Sequence, residues 1–335
     1  MSLPPVEIPL GAMRFNSDSQ KLEYWNGEIW LQIHTFSPNL DGGARATFSG
    51  GQTPSSNYNI IDYITISTAG NAQDFGDLNT SPLGARAAAD RTRGIIAGGY
   101  TPSVINTIEY ITISSTGNAQ DFGDLPSIQS YSGALNNGTR AVFGGTFVPG
   151  GFQNIIQFVT IQSTGSADDF GDLPFTMQVD AAAASPTRGI FFGGYVTAPT
   201  RAVNTIHYIT TATTGNAQDF GDMTIKQYAN AACSNSIRAV SAGGNDYPNK
   251  LSSMEFVTIA TKGNSTNFGS IAATTNYPAA ASSPTRGVIA GGNTPTHLDT
   301  IQYISFATEG DAVDFGDLTQ ARNQLGGLSN ANGGL

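Results

Sequence analysis

A single cysteine, Cys233, stands in 335 residues, so no internal disulfide can staple this chain. That residue reads as a small buried apolar side chain rather than a nucleophile. Histidine is as scarce: His34, His207 and His297 lie far apart in the sequence. They leave no nucleophile–base constellation to read, so neither an enzyme nor a metal or cofactor site is expected. Only 12% of residues are charged, and the bases form no stripe, which speaks against a nucleic-acid partner. No apolar run reaches the roughly 18 residues that cross a bilayer, so no membrane insertion is expected. The opening Met1–Pro5 lacks the basic and apolar regions of a signal peptide.

What the chain has in quantity is glycine, 40 residues, and repetition. Gly70-Asn71-Ala72-Gln73-Asp74-Phe75-Gly76-Asp77 returns letter for letter at 117–124 and 215–222, with looser copies at 165–172, 263–270 and 310–317. A period of this size is the mark of a propeller or a solenoid.

Three landmarks recur in each unit. An Arg leads an apolar run into Gly-Gly (Arg45, Arg93, Arg140, Arg188, Arg238, Arg286). An aromatic sits in a β-branched run (Tyr63, Tyr110, Phe158, Tyr208, Phe256, Tyr303). The repeated motif supplies a Phe (Phe75, Phe122, Phe170, Phe220, Phe268, Phe315). Aromatic to Phe is always 12 residues and Phe to the next Arg always 18, while Arg to aromatic runs from 17 to 20. Length change is thus confined to the loop after Gly-Gly, and loops tolerate insertion where paired strands do not.

Each unit reads as four short strands: the Arg run, the aromatic run (107–114 in the second unit), the Asp-Phe-Gly-Asp run, and a small-residue run. The last is seen at Ala87–Ala89, Gly133-Ala134, Ala181–Ala184, Ala229–Ala232 and Ala279–Ala281. Alanine favours helix, but these runs are too short for one, and strands near a propeller axis need small side chains. The first unit lacks such a run before Arg45, while Leu325–Leu328 is left over at the other end. The expectation is an all-β, six-bladed propeller over 41–335, with 320–335 completing the first blade and no open sheet edge where the ends meet.

Five Asp-Phe-Gly-Asp copies hold ten of the 25 acidic residues; the other 15 balance the 15 bases, so the net charge of −10 arises in the repeat. Two Asp three residues apart are a thin ligand set for Ca²⁺. The acids are expected to bond turn amides or to face Arg of the same or a neighbouring blade, and the Arg to form structural pairs. A binding site breaks such symmetry, which directs attention to the loops after Gly-Gly. They carry Tyr58, Tyr100, Phe147, Phe152, Tyr195, Tyr247 and His297, a composition suited to stacking on sugars or gripping protein. These loops should share one face with the connections that enter the small-residue strands.

Residues 1–40 fall outside the repeat and hold both tryptophans. Asn26-Gly27 predicts a hairpin joining 21–25 to 28–33, with Ala12–Phe15 and the turn Asn16–Gln20 adding a third strand. So small a module cannot bury a core alone. Tyr24, Trp25, Trp30 and Ile33 therefore need a surface: the propeller flank, copies of the module in a homo-oligomer, or another protein. A docking role for Tyr24, Trp25 and Trp30 is favoured.

The repeat, an apolar run into Gly-Gly followed by two aromatics at fixed spacing, resembles the kelch motif, with Phe where that motif usually carries Trp. The segment from Gly11 to Trp30 is similar to a short element of bacteriophage tail-fibre and other virion proteins, those of marine cyanophages among them. The second resemblance implies a structural protein of a phage particle, docked on other virion proteins by residues 1–40. The loop face would then bind a host surface glycan or protein. The alternatives are a decoration protein of the capsid or tail and, less favoured, a glycan-cleaving enzyme. The copper and Asp-box signatures of propeller enzymes are not evident.

Overall fold

The computed structural model describes residues 8–16, 21–32 and 44–331. They contain strands and no helix, and the chain divides into two units, Met1–Asp41 and Gly42–Leu335. The predicted Ile33 and most of the Asn16–Gln20 turn lie outside the described residues.

The larger unit holds six four-stranded antiparallel sheets in a propeller-like arrangement. The second sheet serves as pattern: Arg86–Ala89, Arg93–Ala97, Thr107–Thr112 and Gln120–Asp124, side by side in that order. The small-residue runs are strands. Two boundaries differ from the expected ones. The aromatic strand stops at Thr112, because the turn begins there, with Ser115 N donating to Thr112 O. The run at Ala229 begins as strand only at Ala231, because Ala229 has a φ of +57°, outside the β region. The first sheet draws on both ends of the unit: Gly326–Ser329 pairs with Arg45–Ser49, Gly326 opposite Ser49 and Ser329 opposite Ala46.

Small side chains are required on the first strand of each sheet because these strands press on one another. A Cβ on Gly327 would lie 2.5 Å from Ala280 O, and one on Gly133 3.1 Å from Ala182 Cβ. Hydroxyls near the strand ends link neighbours. Ser329 Oγ donates to Ser282 O, Ser282 Oγ to Ser234 O and Ser234 Oγ to Ala184 O.

The core lies between sheets, not within one. Phe75 and Leu78 of the first sheet pack with Ile96 and Ile111 of the second. The same pairing recurs along the unit, and Phe48 and Ile64 of the first sheet pack with Val288 and Phe315 of the sixth. Each motif Phe is buried edge-on against the aromatic of its own sheet, as in Phe158–Phe170 at 5.9 Å between ring centres. Phe170→Ala should therefore cost about 3–5 kcal/mol in a urea melt; a loss under about 1 kcal/mol would mean that the ring contributes little packing.

The repeated octapeptide is a latch between sheets. Gly117 N donates to Phe75 O at 2.7 Å and Ala119 N to Asp77 O at 2.8 Å, while Asn118 Oδ1 accepts from Asp77 N at 3.0 Å. The turn of one unit thus covers the outer strand of the preceding one, which removes an exposed edge. Gly76 is glycine for the same reason: at φ +145° its Cβ would sit 2.4 Å from Gly117 O. The first unit latches the sixth in the same way, Gly70 N to Phe315 O at 2.7 Å and Asn71 Oδ1 to Asp317 N at 3.1 Å.

In the smaller unit Met13–Asn16, Lys21–Trp25 and Trp30–Gln32 form one antiparallel sheet. The hairpin loop is longer than the Asn-Gly signal predicts, and the last strand starts at Trp30. Asn26 Oδ1 takes the amides of Glu28 and Ile29 at 2.9 and 2.8 Å, which withdraws them from the ladder.

Candidate functional site on the loop face

The first or second residue after Gly-Gly pairs with the connection that enters a small-residue strand. Tyr100 bridges Leu83, Phe147 bridges Ser130, Tyr195 bridges Gln178 and Asn245 bridges Tyr228. Loops and connections therefore share one face. Its rings do not spread evenly. Phe147 and Phe152 face each other across a hairpin extended past Gly-Gly, with centres 5.9 Å apart. Phe152 meets Tyr195 at 5.4 Å, and Tyr195 meets Tyr228 at 4.8 Å. This run crosses the third, fourth and fifth sheets. At its far end the Arg201 guanidinium lies 3.9 Å from the centre of the Tyr247 ring, which is 56% exposed. Burial and the neighbouring Tyr195 push the Tyr228 phenol pKa up; a hydrogen bond with Asn245 and the charge of Arg201 pull it back.

Toward the middle of the face the connections close in. The Tyr131 and Tyr277 rings meet at a tilt with centres 5.9 Å apart, and Tyr131 Oη donates to Gln324 Oε1 at 3.1 Å. Below them Arg86 of the second sheet meets Asp180, which precedes the fourth sheet's first strand, at 2.6 Å. Burial pushes the Asp180 carboxyl pKa up, while Arg86, Gln178 and the Ala229 amide favour its charged form. The Tyr131 phenol is likewise raised by burial, to about 12. Behind this plug lies a cavity of about 40 Å³ walled largely by alanines, Ala87, Ala134 and Ala182 among them, room for little more than water.

The other expected residues scatter. Tyr58 is half-buried on the first sheet's loop, close to Arg322. Tyr100 is 42% exposed and near Tyr131. His297 sits in a tight hairpin with Asn293, beside Asn323 and Lys250, and burial lowers its pKa. Lys250 Nζ donates to Asn293 O at 3.0 Å. Of the seven predicted loop residues, then, Phe147, Phe152, Tyr195 and Tyr247 belong to one cluster. Tyr131, Tyr228 and Tyr277 were missed, because they stand on connections rather than on the variable loops.

No family model matches the chain, and no curated protein matches it in sequence. Function has to be argued from the geometry of this face and from the residue types on it.

The repeated charges are not part of it. Each repeat Arg lies over the aromatic of its own sheet and donates to a carbonyl of the next: Arg45 is 4.5 Å from the Tyr63 ring centre and its Nη1 2.9 Å from Ile113 O. Arg286 reaches Ile66 O at 3.2 Å. These Arg residues are structural, but their partners are rings and carbonyls, not the repeated carboxylates that the sequence suggested. Among the described residues no group of three or more His, Cys, Asp or Glu is placed to hold a metal. Burial raises the Cys233 thiol to about 12, which keeps it protonated and inert.

The smaller unit sorts its predicted docking residues onto two faces. Trp25 and Trp30 stack 5.5 Å apart, Arg14 lies 4.2 Å over Trp30, and Arg14 pairs with Glu23 at 2.9 Å. Tyr24 is on the opposite face, in register with Met13, which is 60% exposed; Phe15, at 65%, lies on the same side.

Proposed function

We propose that the six sheets of the larger unit are the blades of a closed, kelch-like propeller. We further propose that the protein is a non-enzymatic component of a bacteriophage particle, a tail fibre or similar appendage, and that its loop face binds a host surface glycan. Residues 1–40 would fasten it to other virion proteins. The contacts of the last sheet with the first, in latch and core, and the C-terminal strand in the first sheet support closure. The N-terminal resemblance supports the setting.

The observation that carries the binding role is the asymmetric run Phe147–Phe152–Tyr195–Tyr228. The latch, the Arg over its ring and the buried motif Phe recur from sheet to sheet; this run does not. Aromatic rings at a surface, with amides and a guanidinium beside them, suit the apolar faces and hydroxyls of sugars. The full-length protein should adsorb to host cells and compete with phage for them. Tyr195→Ala should weaken adsorption at least about tenfold, the loss expected of a central ring among interface anchors. Undiminished adsorption would remove this face as the receptor site. Labelled antibody found over the capsid rather than the tail would favour a decoration role.

A further inference from the structure

Arg201 is the residue the scaffold does not account for. Of the five non-glycine residues with positive φ among the described residues, Tyr131, Ala229, Tyr277 and Gln324 occupy one repeated position, two residues before a first strand. Arg201, at φ +59°, stands outside that series. Such a conformation is strained for a side chain larger than glycine and persists where its surroundings hold it. The surroundings here are the Val196 amide, which donates to Arg201 O at 2.7 Å, and the Tyr247 ring under the guanidinium.

No carboxylate pairs with Arg201 among the described residues, whereas the buried Arg86 and Arg322 each have one. Asp246, next to Tyr247, is half-buried and forms no ion pair with it. The exposed Lys226, two residues before Tyr228, also has no carboxylate partner among the described residues. The last acids of the third and fourth sheets, Asp172 and Asp222, end outer strands, opposite Ile155 and Thr205. A chain of net charge −10 thus presents two uncompensated cations beside its aromatic run.

We propose that Arg201, Tyr195, Tyr228 and Tyr247 form a subsite for an acidic sugar residue, one bearing a carboxylate. This rests on the glycan-binding reading above. A planar guanidinium held over a ring offers paired N–H donors matched to a carboxylate, and the phenol rings supply the stacking surface. Lys226 adds longer-range attraction that salt would screen.

The test is a glycan panel in which every acidic member has a neutral counterpart: sialyllactose with lactose, and alginate and polygalacturonate oligosaccharides with their carboxyl-reduced forms. The full-length protein should bind at least one acidic member about tenfold or more tightly than its counterpart, less so as salt rises. Arg201→Gln should abolish that preference. Lys262→Gln, an equal change of charge at a turn beyond the aromatic strand of the fifth sheet, should leave it intact. Equal binding of acidic and neutral members, with host adsorption preserved, overturns the acidic subsite but not glycan binding. Binding of no member overturns the subsite, and loss of host adsorption as well would take the glycan reading with it. A preference that survives Arg201→Gln also overturns the subsite.

Discussion

Deletion of Gln320–Leu335 is expected to abolish cooperative folding of the larger unit rather than shift its midpoint. The removed strand, Gly326–Ser329, supplies the first strand of the first sheet. Leu325 and Leu328 go with it. Both are almost fully buried, the first between the sixth and first sheets and the second between the first and second, so two interfaces open at once. Each lost Leu is worth about 2–5 kcal/mol. Asp62 would also remain buried without Arg322, a further loss of about 3–5 kcal/mol. Together these are comparable to the 5–15 kcal/mol that typically holds a domain folded. The strand Arg45–Ser49 would present an unpaired apolar edge, an invitation to aggregation. Circular dichroism during urea titration, with light scattering alongside, checks this. A sigmoidal transition at an unchanged midpoint would mean that the C-terminal strand is dispensable.

The strands were legible because their spacing is invariant: twelve residues from aromatic to Phe leaves no other place for the turn. The job of the octapeptide was not. Its partner is the outer strand of another unit, and between Asn71 and Asp317 that partner is 246 residues away. Its conspicuous acids drew attention, although the work is done by backbone amides, by the Asn side chain and by the room that Gly76 leaves. The repeated Arg residues were rightly read as structural, but a ring and a carbonyl are partners that no charge count can show. Tyr131, Tyr228 and Tyr277 escaped notice because they stand on connections rather than on the variable loops, Tyr131 and Tyr277 two residues before a small-residue strand and Tyr228 three. A comparison of units at that position would have found Tyr131 and Tyr277 beside Gly84 and Gln324. Trp25 and Trp30 attract a docking role by residue type, yet alternation along the strand sets them with Arg14 and Glu23, opposite Met13.

Asp62→Ala should cost about 3–5 kcal/mol, as much as the loss of a buried ring. Asp62 and Arg322 are both fully buried, with Arg322 Nη2 3.0 Å from Asp62 Oδ2. Asp62 holds the position before the aromatic, where Glu109, Glu255 and Gln302 stand in other sheets, and all four perform one task. Each accepts the backbone amide that leaves the preceding sheet: Thr319 N for Asp62, Asn79 N for Glu109, Thr224 N for Glu255, Ala272 N for Gln302. Gln302 does this without charge, so the cap needs only an acceptor. The charge of Asp62 answers instead to Arg322, whose pKa burial pulls down and Asp62 holds up. Asp62→Asn separates the two roles. It retains an acceptor for Thr319 but leaves a buried guanidinium without its counter-ion, so it should lose most of what Asp62→Ala loses. Removing both charges, Asp62→Asn with Arg322→Met, should recover much of that loss, because replacing a buried pair by groups of similar volume is often close to neutral. Urea midpoints of Asp62→Asn, of Arg322→Met and of the double variant decide the matter. If the double variant is as unstable as the two single losses added together, the pair is not coupled, and the burial of Arg322 has to be explained by its bonds to Phe48 O and Ile60 O alone.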